Sequence, residues 1–143
     1  MPTKIFVNLP VRDLGAAIEF FTKVGFRFNP QFSNERATCM VVSDDIYVML
    51  LVEPFFRTFT PKPVADATRT TEVILSLALD SSEEVNQLAD KALAAGAIAS
   101  QPLPDSDFMY TRNFQDPDGH LWELMYMNPT LIEQAQPAAE ISA

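Results

Sequence analysis

The chain is short of cysteine, histidine and positive charge, and each shortage narrows what it can be. A single cysteine, Cys39, excludes an internal disulfide. It stands in the apolar run Thr38-Cys39-Met40-Val41-Val42, where an inert buried thiol is expected rather than a nucleophile. Lysine and arginine number 10 against 19 aspartates and glutamates, which gives a formal net charge of −9 and a pI near 4.4. That balance repels a phosphate backbone, so nucleic acid is not an expected partner, and the acidity reads as a device for solubility. No apolar run approaches the roughly 20 residues of a membrane span, so no membrane partner is expected. The opening Met1-Pro2-Thr3-Lys4 lacks the basic and apolar regions of a secretion signal. A reducing, cytoplasmic setting is the expectation.

What is present is ordinary globular composition. Hydrophobic residues make up 48% and charged residues 20% of 143 residues, enough for one domain with a real core. Ile5, Val7, Leu9 and Val11 alternate with Phe6, Asn8 and Pro10, the period-two pattern of a strand. Asp13 is placed as a helix N-cap, Leu14, Ala17, Ile18, Phe21 and Val24 recur at helical spacing, and Gly25 is placed to stop the helix. Phe26, Phe28 and Phe32 resume extended alternation, interrupted by Pro30. Thr38 to Ser43 and Ile46 to Val52 read as two strands around the polar turn Asp44-Asp45.

The second half repeats this order. Val73, Leu75, Leu77 and Leu79 alternate as a strand, and Ser81 with Glu84 has capping-box spacing. Val85, Leu88, Ala89, Ala92 and Leu93 form one helical stripe that Gly96 ends. Ala97 to Ser100 can be a short strand, and Phe108 to Gln115 and Leu121 to Met127 flank the turn Asp116-Pro117-Asp118-Gly119. Strand, helix and three strands therefore occur twice. Two such units predict two sheets, each with a helix on one face, their other faces around a cavity. Neither half covers its apolar faces alone, so a single domain over 1–128 is expected, with repeat one at 4–53, repeat two at 71–128 and a flexible tail at 129–143.

The connecting segment, 54–70, is unlike a plain polar linker. It carries Pro54, Pro61 and Pro63 together with Phe55, Phe56, Phe59 and Val64, and Pro54 suits the first turn of a short helix through Phe59. These phenylalanines either pad the core or an interface, or form a lid over the cavity.

Two stretches carry a resemblance. "FVNLPVRDLGAAIEFFTKVGF" is similar to the opening of a glyoxalase-type half, and "FQDPDGHLWEL" resembles the closing signature of a second half. Between them, from Ile5 to Met127, the chain resembles the glyoxalase/bleomycin-resistance/dioxygenase (vicinal oxygen chelate) superfamily. The resemblance implies an α+β fold: two βαβββ repeats forming an open, incomplete β-barrel around a cavity. It does not imply one activity, because that superfamily holds metal-dependent isomerases, ring-cleaving dioxygenases, thiol transferases and metal-free drug-binding proteins.

In the family's enzymes, His, Glu or Gln ligands stand on the first and last strands of each half. Carried over, those positions fall at Phe6, Met49, Ile74 and Glu123, of which Glu123 alone matches. No metal ligand set is therefore expected, and a divalent cofactor is disfavoured. The same positions imply an apolar pocket: Phe6, Asn8, Tyr47, Met49, Ile74, Met109, Tyr110, Arg112 and Met125, with the Glu123 carboxyl raised by desolvation and able to act as acid or base. Arg112, on the neighbouring strand, is a candidate partner for Glu123 if the two share a face. His120 is expected to be an exposed hairpin residue and Trp122 to be core. Three functions stay open: a metal-free binder of a small apolar or cationic molecule, a homodimer by resemblance; a lyase, isomerase or dioxygenase-like enzyme on a small carbonyl compound with Glu123 as base and Arg112 or Tyr110 steadying an enolate; or a protein that does no chemistry and binds another protein, or itself as a structural dimer, through the Phe55–Phe59 segment.

Overall fold

The computed structural model describes residues 3–100 and 108–129; the tail expected over 129–143 lies, from residue 130 on, outside them. The first half runs β1 (Ile5–Val11), α1 (Leu14–Val24), β2 (Arg27–Asn29), β3 (Ala37–Val41) and β4 (Ile46–Val52). The second runs β5 (Ile74–Ala78), α3 (Ser82–Ala94), β6 (Ile98–Ala99), β7 (Met109–Gln115) and β8 (Leu121–Met127). Between them stand a short helix, α2 (Glu53–Phe56), and a 3₁₀ turn over Arg57–Phe59.

Each half makes one four-stranded mixed sheet, in the orders β1-β4-β3-β2 and β5-β8-β7-β6. The first and last long strands of each half pair in parallel, β1 with β4 and β5 with β8, and the other pairings are antiparallel. The parallel pairs require a crossover, and α1 and α3 supply it.

The helices start and stop where the sequence predicts. The Asp13 side chain accepts from the Ala16 N–H at 3.0 Å, and the Ser81 hydroxyl accepts from the Glu84 N–H at 3.1 Å. Gly25 adopts φ 119°, a left-handed conformation open to glycine, and donates back to Phe21 and Thr22. The extended run expected around Phe32 is shorter than its pattern suggests. Pro30 has no N–H for a ladder, and β2 gives way to a 3₁₀ turn over Pro30–Phe32.

Period two divides every strand between two environments. Val7, Leu9, Val11, Val48 and Leu50 on the first sheet, and Phe114, Trp122 and Leu124 on the second, join one hydrophobic core with the buried faces of α1 and α3. The two helices pack on each other. Aromatic rings cross the joint between halves: Phe21 lies 5.4 Å from Trp122, and Phe20 lies 6.2 Å from Phe114, between ring centroids. Each fully buried phenylalanine or leucine stabilises the fold by roughly 1.5–3 kcal/mol. The fold is α+β with no closed barrel. The opposite faces of the sheets are partly open to solvent in the single chain: Phe6 is 49% and Ile74 56% exposed, while Ala37, Cys39 and Leu51 on that side of the first sheet are buried. No helix among the described residues is long and apolar enough to cross a membrane.

Candidate functional site

Strand register decides which residues share a face. In the first sheet Phe6 pairs with Tyr47 and Asn8 with Met49, so all four stand on the open face, opposite the Leu9–Val48–Leu50 core side. Phe6 stacks on Tyr47 with centroids 4.7 Å apart and planes 13° from parallel. The Tyr47 hydroxyl donates to the Asp44 carbonyl at 2.6 Å, and the Lys4 ammonium sits 5.4 Å from the Tyr47 ring centroid. Cys39, level with Met49, is fully buried, and burial pushes its thiol pKa up, away from thiolate reactivity.

In the second sheet Ile74 pairs with Leu121, Ser76 with Glu123, and Ala78 with Met125. The Ser76 hydroxyl donates to Glu123 Oε1 at 3.1 Å. Asn113 stands across from Glu123 on β7, and Met109 across from Met127. The open face of this sheet thus carries Ile74, Ser76, Met109, Glu123 and Met125. It carries one carboxylate, half-buried and held by a serine hydroxyl.

Two expected members are elsewhere. Arg112 pairs with Leu124 and Tyr110 with Tyr126, which turns both side chains to the helix side, away from Glu123. There the Asn86 side-chain oxygen accepts from the Tyr110 hydroxyl at 2.7 Å and from Arg112 at 3.2 Å, and Arg112 pairs with Asp90 at 2.8 Å. The physical reason is the pleat: Glu123 shares its face with Thr111 and Asn113, and residues one step away along β7 face the opposite side.

His120 also differs from expectation. It is 7% exposed, and its Nε2 lies 2.7 Å from the Pro10 carbonyl oxygen. A carbonyl only accepts, so Nε2 carries the proton and the ring ties the two halves together. Asp116 is buried beside it. Its carboxylate accepts from the backbone N–H groups of Asp118 and His120 and from the Trp122 indole at 3.0 Å. Burial pushes the Asp116 pKa up, against the lowering pull of His120 and these hydrogen bonds. Arg12 completes the joint, its backbone N–H and guanidinium both donating to Asp118 Oδ1 and its Nη2 to the Pro117 carbonyl. The aspartate turn is a structural clamp as well as a hairpin.

The connecting segment forms a feature that residue patterns did not locate. A cavity of about 310 Å³ lies between the Asn8–Pro10 stretch of β1, the Gly119–Leu121 start of β8 and the segment from Thr60 to Val73. Of the residues expected to line a pocket, Asn8 alone reaches it. Its apolar wall includes Pro10, Phe56, Val64, Val73 and Leu121. The prolines and phenylalanines of the segment were the sequence signal for it. Among the described residues no group of three or more His, Cys, Asp or Glu side chains is placed to hold a metal ion.

Similarity to solved structures follows the same architecture. A hypothetical protein SA1046 from S. aureus is 27% identical with a TM-score of 0.73, covering 88% of this chain and 94% of its own. A glyoxalase-related enzyme from Fulvimarina pelagi is 20% identical, with a TM-score of 0.72 and 88% of each chain covered. The fosfomycin resistance protein FosX from Mesorhizobium loti is 16% identical, with a TM-score of 0.65, covering 92% of this chain and 98% of its own. At such identities the latter two share the fold alone. No curated protein sequence matches. The family model for the Glyoxalase/Bleomycin resistance protein/Dioxygenase superfamily matches residues 5–124, nearly the whole described chain, and the protein belongs to that superfamily.

Proposed function

We propose that this protein is a metal-free binder of small apolar or cationic molecules, its groove built from the two open sheet faces and completed by a second copy of the chain. The observation that carries the reading is the chemistry at four positions. Phe6, Met49, Ile74 and Glu123 all occupy open faces, and they offer two hydrocarbons, a thioether and one carboxylate that already accepts a hydrogen bond from Ser76. That donor set does not fit a divalent metal, which needs several hard oxygen or imidazole ligands. It does suit an apolar or aromatic ligand, with Glu123 available to a cationic group. The exposure of Phe6, Ile74, Ile98 and Met127 supports coverage by a partner copy, since large apolar patches left in water favour association.

The enzymatic alternative loses support from the same geometry. Tyr110 and Arg112, the side chains that would steady an enolate near Glu123, face α3 instead. A thermal-shift screen of small aromatic cations tests the proposal. Ligands should raise the melting temperature of the wild type by several degrees and leave Phe6→Arg, which puts a cation on the open face, unshifted. A screen without a stabilising compound, or one whose hits act equally on both proteins, would count against it.

A further inference from the structure

The cavity under the connecting segment contains none of the four positions on which the proposed function rests, although it meets the open faces at Asn8 and Leu121, the strand partners of Met49 and Ile74, and its lining has a chemistry of its own. The lining is mostly apolar, with the ring of Phe56 and the side chains of Pro10, Val64, Val73 and Leu121, and Asn8, Thr60, Thr70 and Thr71 add polar groups. His120 contributes a wall rather than a reacting group, because its Nε2 proton is committed to the Pro10 carbonyl. At the rim stand one side chain of each sign, Lys62 and Glu72. Neither ends in a hydrogen bond or ion pair with another described residue, and they are not bridged to each other. Elsewhere the surface pairs opposite charges: Lys23 meets Glu19 at 3.1 Å and Arg57 meets Glu53 at 2.8 Å.

The segment that roofs the cavity folds on itself and lies against the β7–β8 turn. Thr68 and Thr70 are tied to Asp66 by side-chain and backbone hydrogen bonds. The backbone of Ala67 and Thr68 approaches Gly119 so closely that a Cβ there would stand 2.7 Å from the Ala67 carbonyl oxygen.

We infer that this cavity is a binding site for a small zwitterion with an apolar body, of the kind an apolar free amino acid presents. The argument is one of complementarity. A ligand that fills the apolar cleft also displaces water from the rim, so its own charges must match what stands there. A simple anion meets Lys62 but is set against Glu72 and against a protein of net charge −9. A simple cation meets Glu72 and leaves Lys62 unmatched. A carboxylate toward Lys62 and an ammonium toward Glu72 satisfy both, while the side chain occupies the apolar wall. The volume, about 310 Å³, is at the lower end of small-molecule sites and suits a ligand of that size.

Calorimetric titration with L-phenylalanine, phenethylamine and 3-phenylpropionate tests the inference, since the last two each lack one of the charges; the comparison is read in Phe6→Arg, whose open face does not take an aromatic cation such as phenethylamine. L-Phenylalanine should bind, and each singly charged analogue should bind at least tenfold more weakly. Lys62→Met and Glu72→Gln, both changes at the rim, should each weaken L-phenylalanine about tenfold and flatten the preference over one analogue: Lys62→Met over phenethylamine, Glu72→Gln over 3-phenylpropionate. Phe6→Arg, on the open face and paired with Tyr47 rather than with a residue of the cavity, should leave this binding unchanged while abolishing any response to aromatic cations, so failure of the two readings is told apart. Absence of L-phenylalanine binding, equal affinity for all three compounds in Phe6→Arg, indifference to both rim substitutions, or loss of L-phenylalanine binding in Phe6→Arg would each overturn the assignment.

Discussion

Gly119 shows how much one residue can settle. Its φ is 91°, a region that L side chains rarely adopt, and a Cβ would fall within 2.8 Å of both the Ala67 carbonyl carbon and the Thr68 nitrogen. Both obstacles are backbone, so neither can swing aside. Gly119→Ala should therefore destabilise the protein by about 1–3 kcal/mol, measured by urea denaturation, and should loosen the segment from Ala65 to Thr70, read as faster amide exchange there. A substitution that is neutral in both measurements would mean that the segment is not docked on the turn. The sequence marked this glycine as a turn residue, and the turn is there. What it could not show is the second role, because the approach of Ala67 is set by the path of a segment some fifty positions upstream. His120 belongs with it. Alone in the sequence it reads as a hairpin residue, and its burial depends on Pro10, brought near only when the halves join.

At the scale of elements, the legible features are those with local causes. Asp13, Ser81 and Gly25 cap helices where their spacing predicts, since capping satisfies backbone groups within a turn or two. Alternation placed Phe6, Asn8, Tyr47 and Met49 on one face, and the parallel register of β1 with β4 holds them there. The β7–β8 hairpin was less legible. A one-residue slip in a hairpin moves every side chain to the opposite face, and the Asp116-Pro117-Asp118-Gly119 turn alone does not say where the ladder closes. The closing pair is Gln115 with Leu121, with the Asp116 N–H donating to the His120 carbonyl. That choice puts Asn113 beside Glu123 and sends Tyr110 and Arg112 to α3. The pair that a sequence reader would draw between Arg112 and Glu123 is thus replaced by Arg112 with Asp90.

The whole molecule is two similar units fused through their helices. Fusion buries the helix sides of both sheets in one core and leaves two apolar faces outward. A chain with a net charge of −9 should repel its own copies, so the apolar faces must outweigh that repulsion if a dimer forms. Light scattering at micromolar concentration should give twice the chain mass of 16.0 kDa, and Ile74→Lys, at a position already 56% exposed, should shift the species to one chain without unfolding it. A wild type that runs as a single chain would leave the groove incomplete and remove the partner from the proposal.

The most direct test of the central claim, a superfamily member that binds without metal, is a divalent-metal titration of chelator-treated protein followed by calorimetry, together with metal analysis of the protein as purified. The account predicts no stoichiometric metal and no saturable heat with zinc, manganese or nickel ions, because Phe6, Met49 and Ile74 stand where ligands would be needed. Tight binding of one ion per site, lost on changing Glu123→Gln, would contradict it and make this a metal enzyme.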